Sequence, residues 1–175
     1  MVQPMKGTRV LPVPGDGLLH PVFAAAVALL LVNDHVLKTA FPGLVTGKLS
    51  DFAGLMFFPV LVVATWEVLA SVARRWSGPR WLPLIVAVIV TAVVFVAIKV
   101  SSEGASLFAE VLGRIQWFGA TLVAWVIGGP TPRVSPVAVV RDPTDLVALL
   151  ALLVALAVGI RRINQQAISM DRSTS

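Results

Sequence analysis

Two short stretches of this sequence set hydroxyl and charged residues directly before long apolar runs: TGKLSDFAGL, Thr46 to Leu55, and DPTDLVALL, Asp142 to Leu150. An aspartate there can exchange a proton, stabilise a developing cation or face the positive end of a helix dipole, and a lysine can hold an anion. A third stretch, VNDHVLK, gathers Asn33, Asp34, His35 and Lys38 at the end of another apolar run. Ionisable groups inside a membrane span cost on the order of 2.5 to 3.5 kcal/mol at the helix centre, so they usually face a polar interior. Lys48, Asp51, Lys99, Glu103, Arg141, Asp142 and Asp145 all fall near the ends of apolar runs. Their common position predicts one polar cavity at one face of a membrane protein.

The elements that must position these residues follow from composition. The 175 residues are 57% hydrophobic and 13% charged, which excludes an ordinary soluble domain. About 20 apolar residues cross a bilayer as a helix, which satisfies its backbone groups internally where no water reaches them. Runs of this kind are expected at Val22 to Phe41, Phe52 to Ala73, Trp81 to Val100 and, shorter, Thr144 to Ile160. The expected fold class is therefore all-α, a polytopic membrane bundle of four transmembrane helices. Between the third and fourth, ASLFAEVLGRIQW and FGATLVAWVIGG read as an interfacial or re-entrant segment, with a fifth crossing as the alternative.

Residues 1–20 are expected to be a cytoplasmic amino-terminal segment and not a cleavable signal, since no apolar core precedes a small-residue cleavage site. Residues 21–162 form a single membrane domain of two helical hairpins, and 163–175 a disordered polar tail. The shared order of hydroxyl, Asp, apolar, small, small, Leu in SDFAGL and TDLVAL hints at a parallel repeat.

Charges sort by side. One face receives Lys6, Arg9, Arg74, Arg75, Arg80, Arg161, Arg162 and Arg172, and the other carries cations balanced by acids. The first is cytoplasmic by the positive-inside rule, which is expected to place both termini on the cytoplasmic side of the cell membrane. These cations lie in short loops beside spans, so the net charge of +5 points to a membrane and not to nucleic acid.

Capping competes with chemistry at both doorways. Ser50 and Thr144 can cap helices, Asp142 with Pro143 fits a helix start, and Asp34 with Lys38 can form an i,i+4 pair. No cysteine, helical His-to-His spacing or dense aspartate motif is present, so no metal is expected, and no cofactor fingerprint is visible. Glu67 is expected to pair with or reach toward Arg74 or Arg75, and Pro59 to kink the second span. Trp76 and Trp81 read as interface anchors, while Trp117 can anchor or form an aromatic cavity wall.

At the doorways, Lys48 to Leu55 and Arg141 to Leu149, the chain resembles VanZ-like small membrane proteins, with a lysine-containing entrance to one helix and an acidic Asp-Leu entrance to a later one. That resemblance implies an envelope-associated, noncatalytic or lipid-binding protein. By format alone the chain is also similar to small membrane terpene cyclases, which act on isoprenoids with carboxylic acids and no metal. Such a reaction needs an acid, an apolar pocket and a carboxylate or aromatic face for the cation. The candidate catalytic set is Asp34 or Glu103 as acid, with Asp51 and Asp145 as stabilising carboxylates. Asn33, His35, Lys38, Lys48, Lys99, Trp117 and Arg141 are the candidate substrate-binding residues. The expected partner is a lipophilic substrate or a membrane lipid.

Overall fold

The computed structural model describes residues 13–41, 43–135, 137 and 139–171. Among them there is no strand, and the fold is an all-α helical bundle. A 3-10 turn, Asp16–Leu19, precedes α1, Pro21–Ala40, whose course is interrupted by a π-helical turn at Asn33–Leu37. There follow α2, Leu44–Val72, α3, Trp81–Val100, and α4, Ser102–Ile127. The last helix, α5, opens as a 3-10 helix over Pro143–Leu150 and continues as an α-helix over Ala151–Asp171. Four helices, α1, α2, α3 and α5, are long and apolar enough to cross a membrane, and α4 is not among them.

Helix α2 is central, packing against α1, α3 and α5, while α5 also packs on α3 and α4 contacts α3. The size pattern of the side chains is inverted relative to a soluble protein. Small residues occupy much of the interior, with Ala26, Ala53, Ala64, Ala87, Ala148, Ala151 and Ala155 all buried. Large ones such as Val62, Trp66, Leu69, Val86, Ile89 and Val93 point outward. In a bilayer, lipid tails are as apolar as leucine, so helices associate through close backbone approach and dispersion contacts, and small residues permit that approach. Gly159 shows how close it is: a Cβ there would lie 2.6 Å from the Leu84 side chain of α3.

Two boundaries differ from the sequence reading. Helix α2 starts at Leu44, eight residues before the expected Phe52, so Ser50 and Asp51 lie within the helix and do not open it. Its 29 residues extend about 43 Å at 1.5 Å per residue, beyond a hydrocarbon core of about 30 Å. That surplus is long enough for its first turns, with Lys48 and Asp51, to project beyond the hydrocarbon. Pro59 sits buried inside α2, which continues on both sides of it. Lastly, the tail expected to be disordered from residue 163 is helical as far as Asp171, and the rest of it lies outside the described residues, as do residues 1–12 of the amino-terminal segment.

Helix α5 begins as DPTD implied: the Asp142 carboxylate accepts from Thr144 N at 2.9 Å, and Pro143 fills the first helical position, where no amide donor is needed. Helix α4 is capped by Ser101, whose Oγ accepts from Gly104 N at 2.9 Å.

Two outcomes test this arrangement. In a chain with no native cysteine, cysteines introduced at Val45 and Ser77 should label from opposite sides of the membrane, whereas tags at Ser102 and Thr131 should report the same side. Opposite sides for the second pair would establish a fifth crossing. A Cβ on Gly104 would lie 2.5 Å from the Ala97 carbonyl oxygen. Because that atom belongs to a helix backbone and cannot swing away, Gly104→Ala should destabilise the α3–α4 corner by roughly 1 to 3 kcal/mol in a thermal or denaturant titration.

Candidate functional site

Three helix ends meet in one charged cluster. Lys99, in the last turn of α3, places Nζ 2.7 Å from Asp51 Oδ2 of α2 and 2.7 Å from Asp145 Oδ2 of α5. Lys48 of α2 approaches the other oxygen of Asp145 at 2.7 Å, donates to Thr144 Oγ1 at 2.7 Å and lies 3.8 Å from Asp142. Asp145 thus bridges two ammonium groups, and Lys99 bridges two carboxylates. The two doorway aspartates, distant in sequence, converge on one cation.

Burial divides the cluster into a floor and a rim. The side chains of Lys99 and Asp145 are 10% and 9% exposed, and those of Lys48, Asp142 and Asp51 are 30%, 25% and 20% exposed. The Lys99 ammonium also sits 5.5 Å from the centroid of the Phe95 ring, whose face attracts a cation. Beneath the floor, Leu55, Phe95, Ala148, Ala151 and Leu152 form an apolar core contributed by the same three helices. When all five groups are ionised, the three carboxylates exceed the two ammonium groups by one negative charge.

A second polar chain joins α1 to α2 at the same end. The Asn33 side chain, fully buried in the π-helical turn, donates from Nδ2 to the Thr46 carbonyl at 2.7 Å and to Ser50 Oγ at 2.6 Å. Ser50 donates in turn to Asp34 Oδ1 at 2.9 Å, and Asp34 pairs with Lys38 at 2.7 Å. Asn33 is therefore a tie between helices. Asp34 and Lys38 are 47% and 43% exposed, as an i,i+4 pair at a span end would be. His35 is exposed, with Nδ1 3.0 Å from the Leu31 carbonyl.

Other candidates lie outside both networks. Glu103 is exposed at the start of α4, where its own backbone N–H and the hydroxyls of Ser101 and Ser102 hold its carboxyl below the usual glutamate range, with a smaller contribution from Arg141. Arg141 itself is exposed. Trp117 is half-buried and donates from Nε1 to the Pro132 carbonyl at 2.9 Å, which fixes it to the loop after α4. The hydroxyl and N–H of Thr144 lower Asp142 in the same way as the serines lower Glu103. Among the described residues, no three His, Asp or Glu side chains are grouped so as to hold a metal ion.

The opposite end of the bundle carries an ion pair that sequence reasoning assigned to the wrong partner. Glu67, buried in α2, is held by Arg162 of α5 through contacts of 2.7 and 2.9 Å and accepts from Gly15 N at 2.8 Å. Arg162 also pairs with Asp16. Arg74 and Arg75 were nearer in sequence, but they follow the end of α2, while Arg162 comes alongside Glu67 because α5 packs on α2.

Comparison with protein-family models, curated proteins and solved structures finds no match.

The cluster makes a direct mechanical prediction. Lys99→Met would leave Asp51 and Asp145 facing each other without their shared cation, and removing one partner from a buried ionic group costs roughly 3 to 5 kcal/mol. Its thermal unfolding in detergent should shift down strongly. The triple change of Lys99, Asp51 and Asp145 to apolar residues should recover most of that loss, because no buried charge is then left unpaired and Lys48, 30% exposed, keeps Asp142 at 3.8 Å.

Proposed function

We propose that this chain is a lipid-binding membrane protein, and that the rim of its charged cluster receives the head group of a zwitterionic, amine-bearing phospholipid. The carrying observation is that Lys48, Asp51 and Asp142 present both signs of charge at a membrane edge while Lys99 and Asp145 pair below them. A phosphate matches Lys48, and a primary ammonium matches Asp142 and Asp51 and offsets the excess negative charge. The noncatalytic role is the one implied by the resemblance of the doorways to VanZ-like proteins. The basic end, with Arg74, Arg75, Arg80 and Arg161, is assigned to the cytoplasm of the cell by the positive-inside rule, which puts the head-group rim on the outer face.

Acid/base catalysis on an isoprenoid or another lipid is the second reading. One observation favours it: Asp51 and Asp145 converge on the Lys99 ammonium at 2.7 Å, which sets two carboxylates side by side as acid/base groups. The acid assigned from sequence gains less support. Asp34 is nearly half exposed and paired with Lys38, and Glu103 lies outside the cluster, so neither occupies the apolar enclosure that a carboxylic acid of this kind requires.

Native mass spectrometry of the protein from mixed-lipid nanodiscs separates the readings. Phosphatidylethanolamine should be retained over phosphatidylcholine and diacylglycerol, and Lys48→Gln or Asp142→Asn should weaken that retention by about tenfold, the scale of one hydrogen bond to a charged group. Equal retention of all three lipids would overturn the head-group reading. Conversion of an epoxidised polyprenyl substrate to a cyclised product, lost in Asp51→Asn, would establish the catalytic one.

A further inference from the structure

At the end of the bundle opposite Lys99, α2 closes in a turn that places Arg74 at φ 55, a left-handed conformation that residues with a Cβ disfavour. Three backbone bonds hold it there: Arg74 N to the Ser71 carbonyl at 2.9 Å, and Arg75 N and Trp76 N to the Ala70 carbonyl at 2.8 and 3.1 Å. This is the hydrogen-bond pattern that satisfies the last carbonyls of a helix, usually with glycine at the left-handed position. Arginine there keeps the turn and adds a cation.

The turn and the segment to α3 enclose a cavity of about 400 Å³ whose lining includes Trp66, Glu67, Arg75, Trp76, Ser77 and Arg80. Arg80 is braced by an Nη2 donation to Ser77 Oγ at 2.6 Å. The Trp76 Nε1–H is shielded from solvent and has no acceptor. A shielded donor without an acceptor is costly, and a ligand oxygen would satisfy it. Glu67 contributes a carboxylate to the lining, but both of its oxygens are already engaged by Arg162 and one also by Gly15 N. Exposed apolar side chains of α2, Trp66 and Leu69, form one wall of the same cavity and continue onto the lipid-facing surface.

We propose that this cavity binds the phosphate of an anionic membrane phospholipid, with Arg75, Arg80 and the Trp76 Nε1–H as donors and the acyl chains lying along Trp66 and Leu69. Paired arginines suit phosphate because their planar N–H forks meet its oxygens two at a time. The apolar wall selects a lipid over a soluble phosphate, which would gain nothing from Trp66 and Leu69. The site is at the other end of the bundle from the zwitterionic head-group rim and does not depend on it.

The test uses the full chain in phosphatidylcholine nanodiscs containing a minor fraction of phosphatidylglycerol, with bound lipid counted by native mass spectrometry. The parent protein should retain phosphatidylglycerol preferentially, and Arg75→Gln with Arg80→Gln should lower that preference by about thirtyfold, as expected for two basic groups at an anionic surface. Trp76→Phe keeps the ring and removes only the donor, and should lower it by about tenfold with unchanged thermal unfolding. Undiminished preference in the folded Trp76→Phe protein, or no preference in the parent, would overturn the proposal. Displacement of phosphatidylglycerol by inorganic phosphate would also overturn it, by making the site one for a soluble anion.

Discussion

The contact on which the bundle depends is the sharing of one ammonium, that of Lys99, between carboxylates on two other helices. Packing between apolar helices in lipid gains little from exclusion of water, so it brings helices together without strongly fixing their register. An ion pair supplies what is missing. Lys99 accepts only those positions of α2 and α5 that bring Asp51 and Asp145 within 2.7 Å, and Lys48 then clamps Asp145 from the other side. Sliding any of the three helices by one turn, about 5.4 Å, would leave a charge unpaired near hydrocarbon.

The small residues of the interior depend on this registration. Ala148, Ala151 and Ala155 of α5 repeat at three- and four-residue spacing and are fully or almost fully buried, so that α5 can lie close to α2 and α3. Leu55 and Phe95 fill the space immediately below the ionic layer. At the other end, Arg162 repeats the arrangement with the same signs: one cation on α5 held between Glu67 of α2 and Asp16 of the segment before α1. Charge thus pins α2, α3 and α5 together at one end and α2, α5 and the segment before α1 at the other, with alanine contacts between. Helix α1 is attached differently, through the neutral side chain of Asn33, whose donors reach α2 from a π-helical turn. Such turns disturb the regular helical pairing and recur at functional positions.

The same layout produces two chemically different membrane edges. The Lys99 end mixes both signs in a compact layer, and the end holding the α2–α3 turn has arginines surrounding a cavity. The proposed zwitterionic head group matches the first, and the proposed anionic one the second. The exposed surface between them is dominated by large aliphatic side chains, so a lipid bound at either edge has an apolar path for its chains.

Read alone, the sequence determined the helical class, the four apolar spans, the start of α5 at DPTD and the pairing of Asp34 with Lys38, because each depends on local spacing or on a run of hydrophobicity. It also brought the charged residues to span ends on one face. Which of them touch was a matter for the tertiary structure. Lys99 takes Asp51 and Asp145 while Glu103, four residues beyond it, stays outside, since the chain turns at Ser101 into a separate helix. The early start of α2 was hidden because Lys48, Ser50 and Asp51 look like the end of an apolar run, whereas a helix can carry charges inward when partners on other helices satisfy them. Arg162 gave no local sign that it would reach Glu67, 95 residues away in the chain. Such pairs are fixed by which helix faces meet, and that is decided only when small residues, close backbones and opposite charges are all satisfied by the same packing.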